Sequence, residues 1–248
     1  MRVYAADMAN FPRYAIYFAA APGSALDDFG KKLLGYDAYT GEEPTFPDDV
    51  IKTIADWRDL TIEPRTYGFH ATLKAPLLLA PGQTEAALMA ACDRFADTPR
   101  PIPVIEPVVD AISGFVALVP AEPSTELVRL ASDCVREFDA FRAPLTDQER
   151  ARRRPSSLTP RQREHLDLWG YPYVMDDFRF HMTLTGRLAD GRREPVLTML
   201  RNRFATHGLK RLAIDGIAVF RQTDASSRFR VIHRRTLRAA APARPSPP

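Results

Sequence analysis

Cysteine is nearly absent: Cys92 and Cys134 are the only two among 248 residues. Each falls in an apolar pattern of helical spacing, Leu88, Cys92 and Phe95 in one stretch and Leu127, Leu130, Cys134 and Phe138 in the other. Both read as buried thiols of a reduced compartment, not as a disulfide framework or a nucleophile. No apolar run is long enough to span a bilayer and no secretory leader is visible. The expected location is therefore the cytoplasm, with no membrane among the partners. A surplus of one charge is also missing. Lys and Arg number 34 against 31 Asp and Glu, a formal net charge of +3, too balanced for a protein that coats nucleic acid. Metal-ligand spacings, a P-loop and a dinucleotide fingerprint are all lacking, so neither a metal nor a cofactor is expected.

What remains is 45% hydrophobic and 26% charged, ordinary for a globular chain long enough for one large domain or two small lobes. Tyr14–Ala19 reads as a strand from its aromatic and β-branched residues. Ser24 then caps a helix that Gly35 stops. A helix is expected over Asp48–Leu60, a strand over YGFHATLKAPLLL, and a helix from the Thr84 cap to about Phe95. PVIEPVVDAISGFVALVP reads as two strands around a Ser-Gly turn. From residue 115 the order repeats: a strand at 115–119, a helix at Thr125–Phe141, a strand in FRFHMTLTGRL, a helix at Glu194–Thr206, and a closing hairpin. Between the second helix and its strand, Thr146 with Glu149 and Thr159 with Gln162 form two capping boxes, which mark a helical insertion near 142–170. Residues 1–12 read as an N-terminal extension and 13–238 as a single bilobal domain. The Pro/Ala-rich tail 239–248 reads as disordered. The repeated order predicts a duplicated α+β fold with two antiparallel sheets facing a central cleft and helices outside.

The two halves meet in residue identity at one place. Phe69-His70-Ala71-Thr72-Leu73 and Phe180-His181-Met182-Thr183-Leu184 agree at four of five positions. Strand side chains alternate between faces, so the apolar members share one face. His70, Thr72 and Lys74 share the other, as do Arg179, His181, Thr183, Thr185 and Arg187. Two imidazoles that titrate near neutrality can serve as a base and an acid. A neighbouring threonine hydroxyl can donate to a phosphoryl oxygen, and a lysine or arginine supplies positive charge for it. The candidate catalytic residues are thus His70, His181, Thr72 and Thr183. Lys74, Arg187, Thr185, Arg179 and Tyr17 are the candidate substrate-binding residues. Tyr14, Tyr67, Tyr171 and Tyr173 could also line a cleft, although core packing suits most of them. Arginines crowd 150–163 and 228–238, either as solvated faces or as a positive rim for phosphate-bearing ligands.

These paired motifs resemble the 2H phosphoesterase superfamily, named for two His-x-[Ser/Thr] motifs. The stretches RYAIYFA, YGFHATLKAP, WGYPYV and FRFHMTLTGRL resemble a bacterial subgroup encoded beside phosphonate-degradation genes. The resemblance implies a metal-independent hydrolase acting on a cyclic phosphodiester, with both histidines and both threonines facing a cleft. Its substrate would be a small phosphorylated molecule, such as a ribose cyclic phosphate of phosphonate metabolism. Alternatives are an enzyme of RNA ends, acting as a 2′,3′-cyclic phosphodiesterase or like a 2′-5′ RNA ligase, or a non-catalytic nucleotide- or RNA-binding module. No obligate protein partner is evident.

Overall fold

A computed structural model describes residues 11–241. Most of the expected N-terminal extension, 1–10, and the end of the expected tail, 242–248, lie outside the described residues. The described start of that tail is not loose: Ala239 bridges Arg100, and Ala240 donates its amide to the Arg100 carbonyl at 2.9 Å.

The elements follow in chain order as β1 (Arg13–Phe18), α1 (Ala25–Leu34), three short helices α2 (Asp48–Thr53), α3 (Trp57–Leu60) and α4 (Ile62–Arg65), then β2 (Ala71–Leu77) and α5 (Glu85–Asp97). Strands β3 (Val104–Ile105), β4 (Pro107–Ile112) and β5 (Phe115–Pro120) lead to α6 (Thr125–Phe138). The insertion holds α7 (Asp147–Arg152) and α8 (Pro160–Trp169). After it come β6 (Met182–Thr183), α9 (Asp190–Ala205), β7 (Leu212–Ala213), β8 (Gly216–Gln222) and β9 (Arg230–Thr236). The single helix expected over Asp48–Leu60 is broken into α2 and α3 at Ile54, whose backbone leaves the helical region.

Local chemistry explains the boundaries. The Ser24 hydroxyl accepts the Asp27 amide and Gly35 ends α1 in the left-handed region, as do both capping boxes and Gly170 in the insertion. The Ser113-Gly114 turn has φ of 48° and 96°, the pair of positive angles that a tight hairpin needs.

The α+β class, the antiparallel pairing and the packed helices are as expected. Seven strands run in the order β4-β5-β6-β2-β1-β8-β9, and β3 and β7 form a separate ribbon. Reading outward from the centre, β2-β1-β8 mirrors β6-β5-β4. Each half borrows its third strand from the other: β4 follows α5 of the first repeat, and β8 follows α9 of the second. The half-sheets join through one residue pair, Ala71 opposite Met182. Helices cover one face, where Tyr14, Ile16, Phe18, Ala71, Leu73, Met182 and Leu184 enter the main core. On the other face Ala15 and Tyr17 pack with Tyr36, Phe220 and Phe229 in a smaller cluster.

Candidate active site

The central pair sets the site. In an antiparallel ladder the residues flanking a pair face one another across the strands. Ala71 opposite Met182 therefore puts His70 across from Thr183 and Thr72 across from His181. The alanine and methionine point into the core, so the other four side chains stand on the opposite face around the axis relating the halves. All four line one cleft of about 750 Å³. The histidines lie diagonally on adjoining strand ends.

Each imidazole is held by the same device. His70 Nδ1 lies 2.9 Å from the Gly68 carbonyl, and His181 Nδ1 lies 2.7 Å from the Arg179 carbonyl. A carbonyl can only accept, so each Nδ1 carries the hydrogen, and each Nε2 is left with its lone pair when the ring is neutral. His70 Nε2 lies 3.3 Å from the Thr72 hydroxyl, which donates to it. Gly68 has φ of 76°, and a Cβ there would come within 2.8 Å of the Ala38 Cβ. Only glycine turns the chain there so that this carbonyl reaches back to the ring.

The surroundings of the two histidines differ. Tyr17 pairs with Thr72 across β1 and β2, and Ala117 holds the same place opposite Thr183 across β5 and β6. The Tyr17 ring stacks on His70 at 3.8 Å between centroids and 25° between planes. Phe115 approaches His181 at 5.6 Å and 55°. Burial pushes His70 down to about 4; its bond to the Gly68 carbonyl acts the other way, and the charge of His181 lowers it further. Burial also lowers His181, offset in part by the Arg179 carbonyl.

Among the candidate binding residues, Tyr17 and Arg187 line the cleft, and three are placed differently from expectation. Lys74 does not share the face of His70 and Thr72. Register shifts in β1 and β2 interrupt the alternation, so Thr72 pairs with Tyr17 but Lys74 pairs with Ile16 on the helix side. There it is 2% exposed, 2.6 Å from Asp139 Oδ1, and donates to the Val135 and Trp169 carbonyls. Thr185 borders the cleft, but its hydroxyl is used within the fold: it accepts the Val116 amide at 3.0 Å and donates to the Gly186 carbonyl at 2.9 Å. The Arg179 side chain is exposed and does not line the cleft, so its tie to the site is the carbonyl that orients His181.

The sequence reading missed Arg13 and Phe115, offered Arg152 and Arg153 only within a basic run, and left Tyr67 and Tyr171 among several candidates; all six line the cleft. Arg13 was legible, since residues 13, 15 and 17 fall on one face of β1. Arg152 and Arg153 lay in a run where three other arginines are occupied: Arg150 with Asp167 at 2.9 Å, Arg161 with Asp177 at 2.8 Å, and Arg163 with the Leu158 carbonyl. The second run is likewise occupied, by Arg228 with Glu43, Arg235 with Asp93 and Arg230 with the Thr40 carbonyl. Tyr14 turns instead to Glu85 on the core side, and Tyr173 is exposed. Burial pushes the Cys92 thiol up to about 12 and also raises the Cys134 thiol well above the usual range, and both are free. Among the described residues no group of three His, Cys, Asp or Glu side chains is arranged to hold a metal ion, and no helix is long and apolar enough to cross a membrane.

A family described as "Protein of unknown function (DUF1045)" matches residues 72–230. The chain belongs to the DUF1045 family. The DUF1045 match takes in Thr72, His181 and Thr183 and begins two residues after His70. A protein of Janthinobacterium sp. (strain Marseille) named "Ribose 1,5-bisphosphate phosphokinase PhnN" is 36% identical over 223 residues, 86% of this chain and 48% of that protein. A protein of the same name from Laribacter hongkongensis (strain HLHK9) is 32% identical over 88% of this chain and 50% of its own length. The chain thus spans about half the length of these curated relatives. Among solved structures, one titled as a phosphoesterase gives a TM-score of 0.40 at 14% identity, over 92% of this chain and 98% of that one. E. coli LigT complexed with 3′-AMP gives a TM-score of 0.37 at 14% identity, with the same coverage.

Proposed function

We propose that this DUF1045 chain is a metal-independent phosphodiesterase of the two-histidine type that opens a cyclic phosphodiester on a small sugar phosphate. The observation that carries the reading is the quartet of His70, Thr72, His181 and Thr183 around one axis of one cleft, with both imidazoles oriented by backbone carbonyls at Nδ1. Such a pair can remove one proton and deliver another across a phosphorus placed between them. One Nε2 takes a proton from water, the water oxygen bonds to phosphorus, and the bond to the leaving sugar oxygen breaks. The other Nε2 gives that oxygen its proton. The product is a phosphate monoester, and one water is consumed. With substrate bound, the Thr72 hydroxyl turns from His70 Nε2, freeing that nitrogen as the base, and with Thr183 donates to the non-bridging oxygens as negative charge builds.

The unlike surroundings of the histidines support a division of labour. Tyr17 covers His70, whereas Ala117 stands in the matching place beside His181. In a pair that carries one proton, the proton resides on the more basic ring. His70, lowered by both burial and the neighbouring charge, is the base, and His181 is the acid.

A phosphorylated ribose as substrate is supported by the name that the relatives carry. Their kinase activity is not proposed for this chain, because its sequence has no P-loop to hold the phosphates of ATP. The internal partners of Arg150, Arg161 and Arg163 in the first basic run and of Arg228, Arg230 and Arg235 in the second favour a small substrate over an RNA end.

The test is hydrolysis over a panel of cyclic phosphates on sugars, mononucleotides and RNA ends, with and without EDTA. We expect turnover of a small member that EDTA does not abolish. His70→Ala and His181→Ala should each lower the rate by about 10²–10⁴-fold. Near-native turnover in either variant overturns the mechanism. An RNA-end preference with affinity falling steeply as salt rises transfers the reading to the polymer.

A further inference from the structure

The cleft holds more than one diester needs, and the surplus is one-sided. Around the His70 half gather Tyr17, Tyr67, Tyr171, Arg13 and Arg153. All five line the cleft, and burial raises the Tyr17 hydroxyl well above the usual phenol range while the Arg13 and Arg153 charges lower it. The Tyr67 ring stacks on Phe229 at 5.3 Å, and the Arg13 guanidinium lies 5.5 Å from the same ring. The Arg153 guanidinium lies 5.1 Å from the Tyr171 ring. Strand β1, the connection after α4 and the insertion with the residue that follows it therefore converge on one wall.

Two observations show that this wall is built for an anion rather than for packing alone. Tyr17 is 1% exposed and lines the cleft, yet its hydroxyl has no hydrogen-bond partner among the described residues. The hydroxyl is the part of this ring left open to the cleft, where a ligand oxygen can bond it. The second observation is the charge. Arg153 has neither an ion pair nor a side-chain hydrogen bond among the described residues, and Arg13 is held through the Gln222 side-chain oxygen, not by a carboxylate. Arg152 and Arg187 line the same cleft, also without ion pairs. The lining carboxylates are Glu63 and Glu149, and Glu149 is already bonded by the Thr146 amide and hydroxyl. Four guanidinium groups against two carboxylates leave the cleft positive. Guanidinium forks that are free of carboxylates bind phosphate with paired, charge-assisted hydrogen bonds.

Building on the phosphodiesterase reading, we propose that the cleft has a second phosphate subsite, formed by Arg153, Arg13 and the Tyr17 hydroxyl, and that the substrate is a cyclic phosphodiester carrying a separate phosphate monoester. The diester sits at the quartet and the monoester is drawn to the His70-side wall. Tyr67 and Tyr171 supply flat apolar faces between them, suited to a sugar ring. Because the insertion delivers Arg153 and its end leads directly into Tyr171, it determines which cyclic phosphates are accepted.

The test compares a nucleoside 2′,3′-cyclic phosphate with and without a 5′-phosphate, using the full chain and its Arg153→Gln and Arg13→Gln variants. In the wild type the 5′-phosphate should raise kcat/KM by about 10- to 100-fold, the worth of one or two charge-assisted hydrogen bonds, mainly through KM. In each variant the ratio between the two substrates should fall toward one, and Arg153→Lys should restore part of it. A wild-type ratio near one overturns the subsite. Titration calorimetry with ribose 5-phosphate reads the same wall without catalysis. Binding that weakens about 10-fold or more in Arg153→Gln supports the subsite, and equal binding in wild type and both variants overturns it. Inactivity on both nucleoside substrates leaves the titration to decide the subsite alone, while the phosphodiesterase reading falls only if the sugar cyclic phosphates are also left intact. Unchanged melting temperatures confirm that the variants are folded.

Discussion

Lys74 shows how one residue's place is decided by its strand rather than by its chemistry. Period-two alternation puts it beside His70 and Thr72, and alternation holds only where the ladder is regular. The shifted register between Tyr17 and Ile16 turns Lys74 to the helix side, where burial lowers its pKa and the Asp139 hydrogen bond opposes that shift. A bulge of this kind has no residue signature in LKAP, so the error could not be read from the sequence. The histidines and threonines precede the shift, and for them alternation was sufficient. Lys74 therefore has a stability role. Replacing it with Met removes one partner of a buried ion pair, while Arg142 still contacts Asp139 at 2.7 Å. We expect Lys74→Met to cost about 3 kcal/mol, the lower end for breaking such a pair, and to leave kcat/KM within about threefold. Urea unfolding and steady-state kinetics check this. A stable variant with a raised KM would return Lys74 to the substrate.

At the scale of elements, those with strong local signals were legible. The capped helices α1, α5, α7 and α8 have their caps where Ser24, Thr84, Thr146 and Thr159 place them. The stretch FRFHMTLTGRL was legible as non-helical but not in extent, since only Met182 and Thr183 join the ladder. Its neighbours serve the site through carbonyls and turns, which residue type does not encode. LAIDGIAVFRQ divides for a similar reason: Leu212 and Ala213 pair with β3 and only Gly216 onward joins the main sheet. The link from element to site is clearest at α1. Gly30 lies against Phe69, and a Cβ there would fall 1.9 Å from the Phe69 ring. Phe69 immediately precedes His70, and a ring packed in the core cannot yield as a flexible chain end would. Alanine favours a helix by about 1 kcal/mol over glycine, but overpacking costs about 1–3 kcal/mol, so the clash should prevail. We expect Gly30→Ala to lower the melting temperature and to reduce kcat by displacing His70. An equally stable, fully active variant, measured by thermal unfolding and turnover, would show that the core yields without moving the site.

The whole molecule is two similar halves that have ceased to be equivalent at their shared axis, and its pH dependence should record this. Both imidazoles have pKa values below the usual 6.5, His70 at about 4. The productive pair carries one proton, so activity needs pH above the first protonic step and below the second. As pH falls through about 4, His70 gains a proton and loses its capacity as a base. As pH rises toward 6.5, the proton on His181 is lost and the acid disappears. The profile of kcat/KM should therefore be bell-shaped, with its maximum between about pH 4 and 6.5. Folding stability follows the same sign. Unfolded histidine takes up its proton near 6.5 and folded His70 only near 4, so the stability contributed by the neutral ring is present above 6.5 and is lost as pH falls between these values. Tyr17 provides the control, because its ring stacks on His70 while the matching Ala117 offers His181 no ring at that place. Tyr17→Ala should admit water to His70, move its pKa toward 6.5, and shift the acidic limb of the profile upward while the alkaline limb stays in place. NMR titration of the two imidazoles should show the same displacement on His70 alone. A maximum above pH 7, or an acidic limb that does not move in Tyr17→Ala, would mean that His70 is not the base and that the unlike halves do not set the roles of their histidines.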